Sequence, residues 1–182
     1  LAPGAPLSPD TPAARALLPE ARAAVSATGT EDLEFFNGTG GFAENGREYV
    51  TVLRDGQTTP APWINVIANP SFGFQASAEG SGAVWAENSR ENTLTPWSND
   101  PVRDPAGEAI YLRDSDSGAL WTPTALPIRG RGTYVARHGF GYSRFEHGAQ
   151  DIAAEMVQFV PMEDPVKITK LTLRNTGKTV RR

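Results

Sequence analysis

Trp85-Ala-Glu-Asn-Ser-Arg-Glu-Asn-Thr-Leu-Thr-Pro-Trp97 is the stretch best furnished for chemistry. Eleven residues separate its two tryptophans, and eight of those are Glu, Asn, Ser, Arg or Thr. The polar run continues through Ser98-Asn-Asp-Pro-Val-Arg-Asp-Pro105, which is too long for a hairpin turn, and loops of this kind often carry function. Its chemistry suits a sugar. An aromatic ring takes the apolar C–H face, while planar amides, carboxylates and guanidinium groups take hydroxyls in pairs. The plainer alternative is a solvated loop whose two tryptophans anchor it to the core. Two carboxylate pairs lie in the same region, Glu87 with Glu91 and Asp100 with Asp104, but spacing along a loop sets no distance across a sugar ring.

A second motif is Arg137-His138-Gly-Phe-Gly-Tyr142. A free imidazole titrates near neutrality, so His138 could orient a hydroxyl or a phosphate oxygen, although a lone histidine in a strand is more often a hydrogen-bonded structural residue. The glycines flanking Phe140 mark a bulge or a close backbone approach. Gly38-Thr-Gly-Gly41 lacks the Lys-Ser/Thr of a phosphate loop. There is no G-x-S-x-G nucleophile elbow, and the sequon Asn37-Gly-Thr39 is of a kind common by chance.

Composition narrows the field further. The 182 residues contain no cysteine and two histidines, which removes disulfides, thiolate metal sites and a cysteine nucleophile and leaves little for a histidine-based metal centre. With 17 Lys+Arg against 21 Asp+Glu the formal net charge is −4, so the electrostatic footprint of phosphate-backbone binding is missing and no nucleic acid is expected as partner. No apolar stretch reaches the roughly 20 residues of a membrane-spanning helix.

The elements that must position these residues are strands. Residues 1–30 hold five prolines, nine alanines and no aromatic residue, and read as a flexible Pro/Ala-rich linker, with a short helix near 11–27 as the alternative. The start does not have the basic and apolar regions of a signal peptide. Beyond Glu31, β-rich runs predict strands at 33–36, 48–53, 63–68, 72–77, 83–86, 109–113, 120–122, 133–137, 141–146, 152–160 and 166–174. The turn pairs Asn45-Gly46, Asp55-Gly56 and Ser117-Gly118 favour an antiparallel β-sandwich over βαβ units. In Val166-Lys-Ile-Thr-Lys-Leu-Thr-Leu the apolar set shifts phase, which calls for a bulge or a change of face. Asn175-Thr-Gly-Lys178 reads as a turn and 179–182 as the beginning of a returning strand, so residues 31–182 are expected to be the N-terminal part of a domain that continues.

Longer motifs then become specific. LEFFNGTGGF (33–42), GREYV (46–50), PWINVIANPSFGF (62–74) and ENSRENTLTPWSNDPV (87–102) run in order into GEAIYLRD (107–114), LWTPTALPI (120–128), YVARHGFGYSRFEH (134–147) and DPVKITKLTLRN (164–175). Together they resemble the N-terminal β-sandwich of the inverting glycoside phosphorylases, the cellobiose and chitobiose phosphorylase family. The nearest likeness is to the phosphorylase-like region of cyclic β-1,2-glucan synthases. The resemblance implies an all-β, galactose-mutarotase-like supersandwich followed in the parent protein by a helical linker and an (α/α)6 barrel.

In that family the barrel carries the aspartic acid that protonates the leaving group, and inorganic phosphate attacks the anomeric carbon as co-substrate. No catalytic residue, metal or cofactor is therefore expected in this chain. The implied role is to contribute carbohydrate binding and a homodimer contact to a glycosyltransferase or phosphorylase acting on β-linked glucans. Trp85, Asn88, Arg90, Glu91, Asn92 and Trp97 are the expected substrate-binding residues, with Arg90 and Asn92 foremost because an arginine fork gives directional hydroxyl or phosphate contacts. The expected partners are a β-glucan oligosaccharide and the downstream barrel. A cytoplasmic location is expected, with any inner-membrane attachment supplied by other regions of the parent. A free-standing carbohydrate-binding module and a purely structural dimerisation domain are the alternatives.

Overall fold

The computed structural model describes residues 32–182, so the linker expected at 1–30 lies outside the described residues. Eleven strands and no helix make up this region. In chain order they are β1 (Gly40–Ala43), β2 (Glu48–Leu53), β3 (Ile64–Ala68), β4 (Phe72–Ser77), β5 (Gly82–Ala86), β6 (Leu112–Arg113), β7 (Leu120–Trp121), β8 (Tyr134–Gly139), β9 (Tyr142–Ala149), β10 (Ile152–Phe159) and β11 (Ile168–Asn175). They form a six-stranded sheet ordered β1-β2-β8-β9-β10-β11, a three-stranded sheet ordered β3-β4-β5 and a small β6-β7 ribbon, with every pairing antiparallel.

Period-two patterning explains which faces meet. Ala136, Phe145, Met156 and Leu171 lie opposite one another across β8 to β11 and share one face of the large sheet. That face packs on Ile67, Phe74, Ala76 and Val84 from the three-stranded sheet, with Phe74 fully buried between the layers. Val135, next to Ala136 in sequence, points the other way and joins Val50 and Val52 in a second apolar cluster. Only one side of the small sheet meets the large one. Its outer side carries Ile64, Val66, Gly73, Gln75, Ser77 and Trp85, and this side is where the long loop after β5 folds back.

Three strand expectations need correction. No strand forms at 33–36: Glu34 makes only an isolated bridge to Phe42, with N–H···O bonds of 2.9 and 2.8 Å, and Phe35 takes φ 53°. The first strand is Gly40–Ala43, where a Cβ on Gly41 would lie 2.9 Å from the Glu34 carbonyl oxygen, so glycine is what admits this close approach. The run at 109–113 contributes only Leu112–Arg113. Along β11 the register with β10 is unbroken from Ile152 opposite Asn175 to Phe159 opposite Ile168, so no bulge occurs. Ile168 faces one side and Leu171 and Leu173 the other, which is the change of face that the phase shift allowed. Residues 179–182 form no strand on β11; Arg181 instead bridges Asp114 and Asp151 at 3.4 and 2.6 Å.

The β9–β10 turn places Gln150 and Asp151 at φ 53° and 58°, a left-handed pair with no glycine. A two-residue hairpin of this hand prefers Asn or Gly. Gln150→Gly is expected to raise stability by about 0.5–1 kcal/mol, read as a higher urea midpoint at unchanged slope. A lower midpoint would show that the Gln150 side chain contributes more than its backbone costs.

Candidate functional site

The loop that leaves β5 first runs back along it. Trp85 and Thr93 form an isolated antiparallel bridge, Leu94 N donates to Val84 O at 2.7 Å, and Val84 N donates to Thr95 Oγ1 at 2.8 Å. Ala86 N closes the hairpin on Asn92 O at 3.2 Å. Glu87 N donates to Ser71 O at 2.7 Å, and beyond it residues 88–92 form an arm tip exposed to solvent. Asn88 shapes that tip. Its Oδ1 accepts from Arg90 N and Glu91 N at 2.8 and 3.0 Å, an Asx turn that mimics a backbone turn.

Arg90 and Glu91 meet at 3.3 Å with side chains 90% and 75% exposed. Such a solvated pair is worth little to the fold and leaves most donor and acceptor capacity open. Asn92 fixes the loop through its backbone, while its side chain stands in solvent.

The two tryptophans part company. Trp85 lies opposite Gly73 on β4, and its indole covers that glycine so closely that an added Cβ would sit 2.7 Å from Cζ2. Trp85 is thus a packed anchor of the outer face. Trp97 is 56% exposed and walls a pocket of about 220 Å³. The anchoring role holds for Trp85 alone, while Trp97 stays open to solvent. Of the six residues expected from sequence, Asn88, Arg90, Glu91 and Asn92 share the arm tip, Trp97 alone lines the pocket, and Trp85 lines neither.

Segment 96–105 arches over the outer face of the small sheet to close that pocket, together with Ile64, Gln75 and Ser77. Asp104 latches it down. Its carboxylate accepts from the Ser77 hydroxyl, and Ser81 Oγ donates to Pro105 O at 2.6 Å. Burial pushes the Asp104 carboxyl above the ordinary carboxylate range, a rise the serine hydroxyls oppose and the nearby Glu79 charge reinforces. Asp100 is the opposite case. Backbone N–H groups of Arg103 and Val102, each 2.9 Å away, hold its carboxyl below the usual range. Asp100 and Asp104 do come together around one pocket, but the latch and turn bonds already engage both.

Gln75 and Ser77 escaped sequence reading as pocket residues because the floor is assembled from a strand that precedes the loop. The alternation of β4 was the available signal: it puts Gln75 and Ser77 on the face opposite buried Phe74 and Ala76. His138, by contrast, belongs to the body of the sandwich. Its Nδ1 shares a hydrogen bond of 2.9 Å with Ser143 Oγ, and burial pushes its pKa down to about 4, so the ring is neutral at pH 7. The glycines of this motif serve the β8–β9 turn, where Gly141 takes φ 81°. No group of three or more metal-ligating side chains occurs among the described residues. No helix among them is long and apolar enough to cross a membrane.

Comparison with known proteins agrees with this architecture. The family description "Glycosyl hydrolase 94, supersandwich domain" matches residues 47–182. The cyclic β-(1,2)-glucan synthase NdvB of Rhizobium meliloti (strain 1021) is 48% identical over 174 residues, covering 93% of this chain and 6% of the synthase. The N,N'-diacetylchitobiose phosphorylase of Vibrio proteolyticus is 31% identical over 145 residues, 78% of this chain and 18% of that enzyme. Solabiose phosphorylase of Paenibacillus borealis is 35% identical over 141 residues, 76% of this chain and 18% of its own length. The chain therefore spans a small part of each relative. An all-strand antiparallel sandwich and a match over most of its length together show that the chain belongs to the glycosyl hydrolase 94 family, as part of its supersandwich domain.

Proposed function

We propose that this chain is the non-catalytic sandwich portion of a glycosyltransferase or glycoside phosphorylase that makes or processes β-linked glucans, cyclic β-1,2-glucan in particular. In this reading the arm tip of Asn88, Arg90, Glu91 and Asn92 reaches a saccharide cleft completed by a helical barrel elsewhere in the polypeptide or in a second copy. The barrel would supply the acid and inorganic phosphate the nucleophile. The sandwich supplies a rigid mount and directional polar contacts.

One observation carries the proposal: a loop braced at its base and by the Asn88 turn holds the side chains of Arg90, Glu91 and Asn92 out in solvent, where they brace nothing in the fold. Rigid presentation lowers the ordering cost of a contact, and an arginine fork gives that contact direction. Similarity to a glucan synthase and to disaccharide phosphorylases, by their names, supports a saccharide as the ligand.

Arg90→Ala in the intact enzyme is expected to raise KM for oligosaccharide phosphorolysis roughly 10- to 100-fold, the loss of one charge-assisted hydrogen bond, with a smaller change in kcat. Wild-type kinetics in that variant would remove the arm from the site.

A further inference from the structure

We infer that the pocket beneath Trp97 is a second saccharide subsite, sized for one pyranose ring and distinct from the arm tip. The inference rests on the reading that this domain handles saccharides, but it is carried by a different set of groups.

Trp97 keeps 56% of its surface exposed at the pocket wall, so its indole offers a face that the fold has not covered. Gln75 lines the pocket from the sheet, half-buried, and its side chain makes no hydrogen bond to any described residue. A carboxamide held there keeps both a donor and an acceptor unspent. Around it stand Asn99, Asp100 and Arg103. The bonds to Val102 N and Arg103 N are made by Oδ1 of Asp100 alone, which leaves Oδ2 for a ligand.

The charge pattern selects the ligand class. Two carboxylates, Asp100 and Asp104, disfavour an anion such as free phosphate, and no group of three or more metal-ligating side chains occurs there among the described residues to hold a metal cation. A neutral polyhydroxylated ring meets every feature, with its apolar face on the indole and its hydroxyls on the amide, carboxylate and guanidinium. Volume sets the length. At about 220 Å³ the pocket is below the roughly 300–1,000 Å³ of sites that enclose drug-sized ligands, which fits a single ring whose neighbours along the chain remain outside.

None of the tip residues 88–92 lines this pocket, so the two sites can be tested apart. The intact enzyme would be photo-cross-linked with a diazirine-bearing methyl β-glucoside and the adducts mapped by peptide mass spectrometry. The subsite predicts an adduct within 96–104. Gln75→Leu keeps the side-chain volume and removes the amide, and is expected to lower that adduct about tenfold at subsaturating probe. Trp97→Ala is expected to lower it by a similar factor and, changing an exposed side chain, stands even if Gln75→Leu disturbs the strand. Adducts confined to other peptides, or an undiminished 96–104 adduct in Trp97→Ala, would overturn the subsite. Neither result touches the arm, whose failure shows separately as an unchanged KM in Arg90→Ala.

Discussion

Arg129→Met is expected to destabilise the fold by about 3–5 kcal/mol, because it strands a charge that the turn between β4 and β5 has buried. Glu79 sits in that turn with its side chain 8% exposed. Its carboxylate accepts from Thr59 N at 2.8 Å, from Thr59 Oγ1 at 3.1 Å and from the Arg129 guanidinium. Arg129 also donates to Gln57 O at 2.7 Å, and the Glu79 carbonyl accepts from Leu126 N at 2.8 Å. The turn is thus tied to two segments, one on each side in sequence. Gly80 fits only because it lacks a Cβ, which would lie 2.2 Å from Thr124 Cβ.

Removing the guanidinium deletes the attraction and leaves the desolvation cost of Glu79 in place. Adding Glu79→Gln to the variant removes that charge and is expected to return more than half of the loss, the coupling a double-mutant cycle measures by urea unfolding. A loss below about 1 kcal/mol in the single variant would mean that solvent reaches Glu79 and the pair behaves as a surface one. The site depends on this turn, since Ser77 and Ser81 on its two flanks hold the segment that closes the Trp97 pocket.

Acidification is the second large expected effect. Burial depresses the His138 pKa from 6.5 to about 4, and burial also lowers that of His147, which stacks on Tyr134 at 3.7 Å. A histidine whose folded pKa is depressed contributes stability that is complete above its unfolded value and is lost as pH falls toward the folded one. Between pH 6.5 and 4 the unfolded chain therefore takes up a proton that folded His138 refuses. At 1.36 kcal/mol per unit this costs about 3 kcal/mol from His138, with His147 acting in the same direction. Unfolding free energies at a series of pH values should fall accordingly, and His138→Gln should flatten the curve. Parallel curves for the two proteins, or an imidazole titration of His138 near 6.5 by NMR, would contradict the assignment.

Much of this architecture was legible because local rules coincide with the global fold. Strands at 48–53 and 72–77 emerged at their observed limits, since alternation and flanking turns agree there. Asn45-Gly46 and Asp55-Gly56 mark turns that demand the positive φ angles of their glycines, 79° and 75°. What escaped is information held across strands. Gly40-Gly41 looks like a turn until Tyr49 and Glu34 are seen against it, where only glycine fits. Trp85 and Trp97 are equivalent as letters; the register that sets Trp85 on Gly73 decides which is packed and which is open. Asp104 reaches Ser77 across 27 residues, a pairing that no local spacing encodes.

In the proposed function a self-braced arm is held out for saccharide. Hydrogen exchange of the intact enzyme, with and without saturating β-1,2-gluco-oligosaccharide, tests it most directly. Backbone amides at 88–92 should gain protection, while those of β8 to β10 in the core stay as they were. Unchanged exchange across 88–92 under saturating sugar would contradict the account.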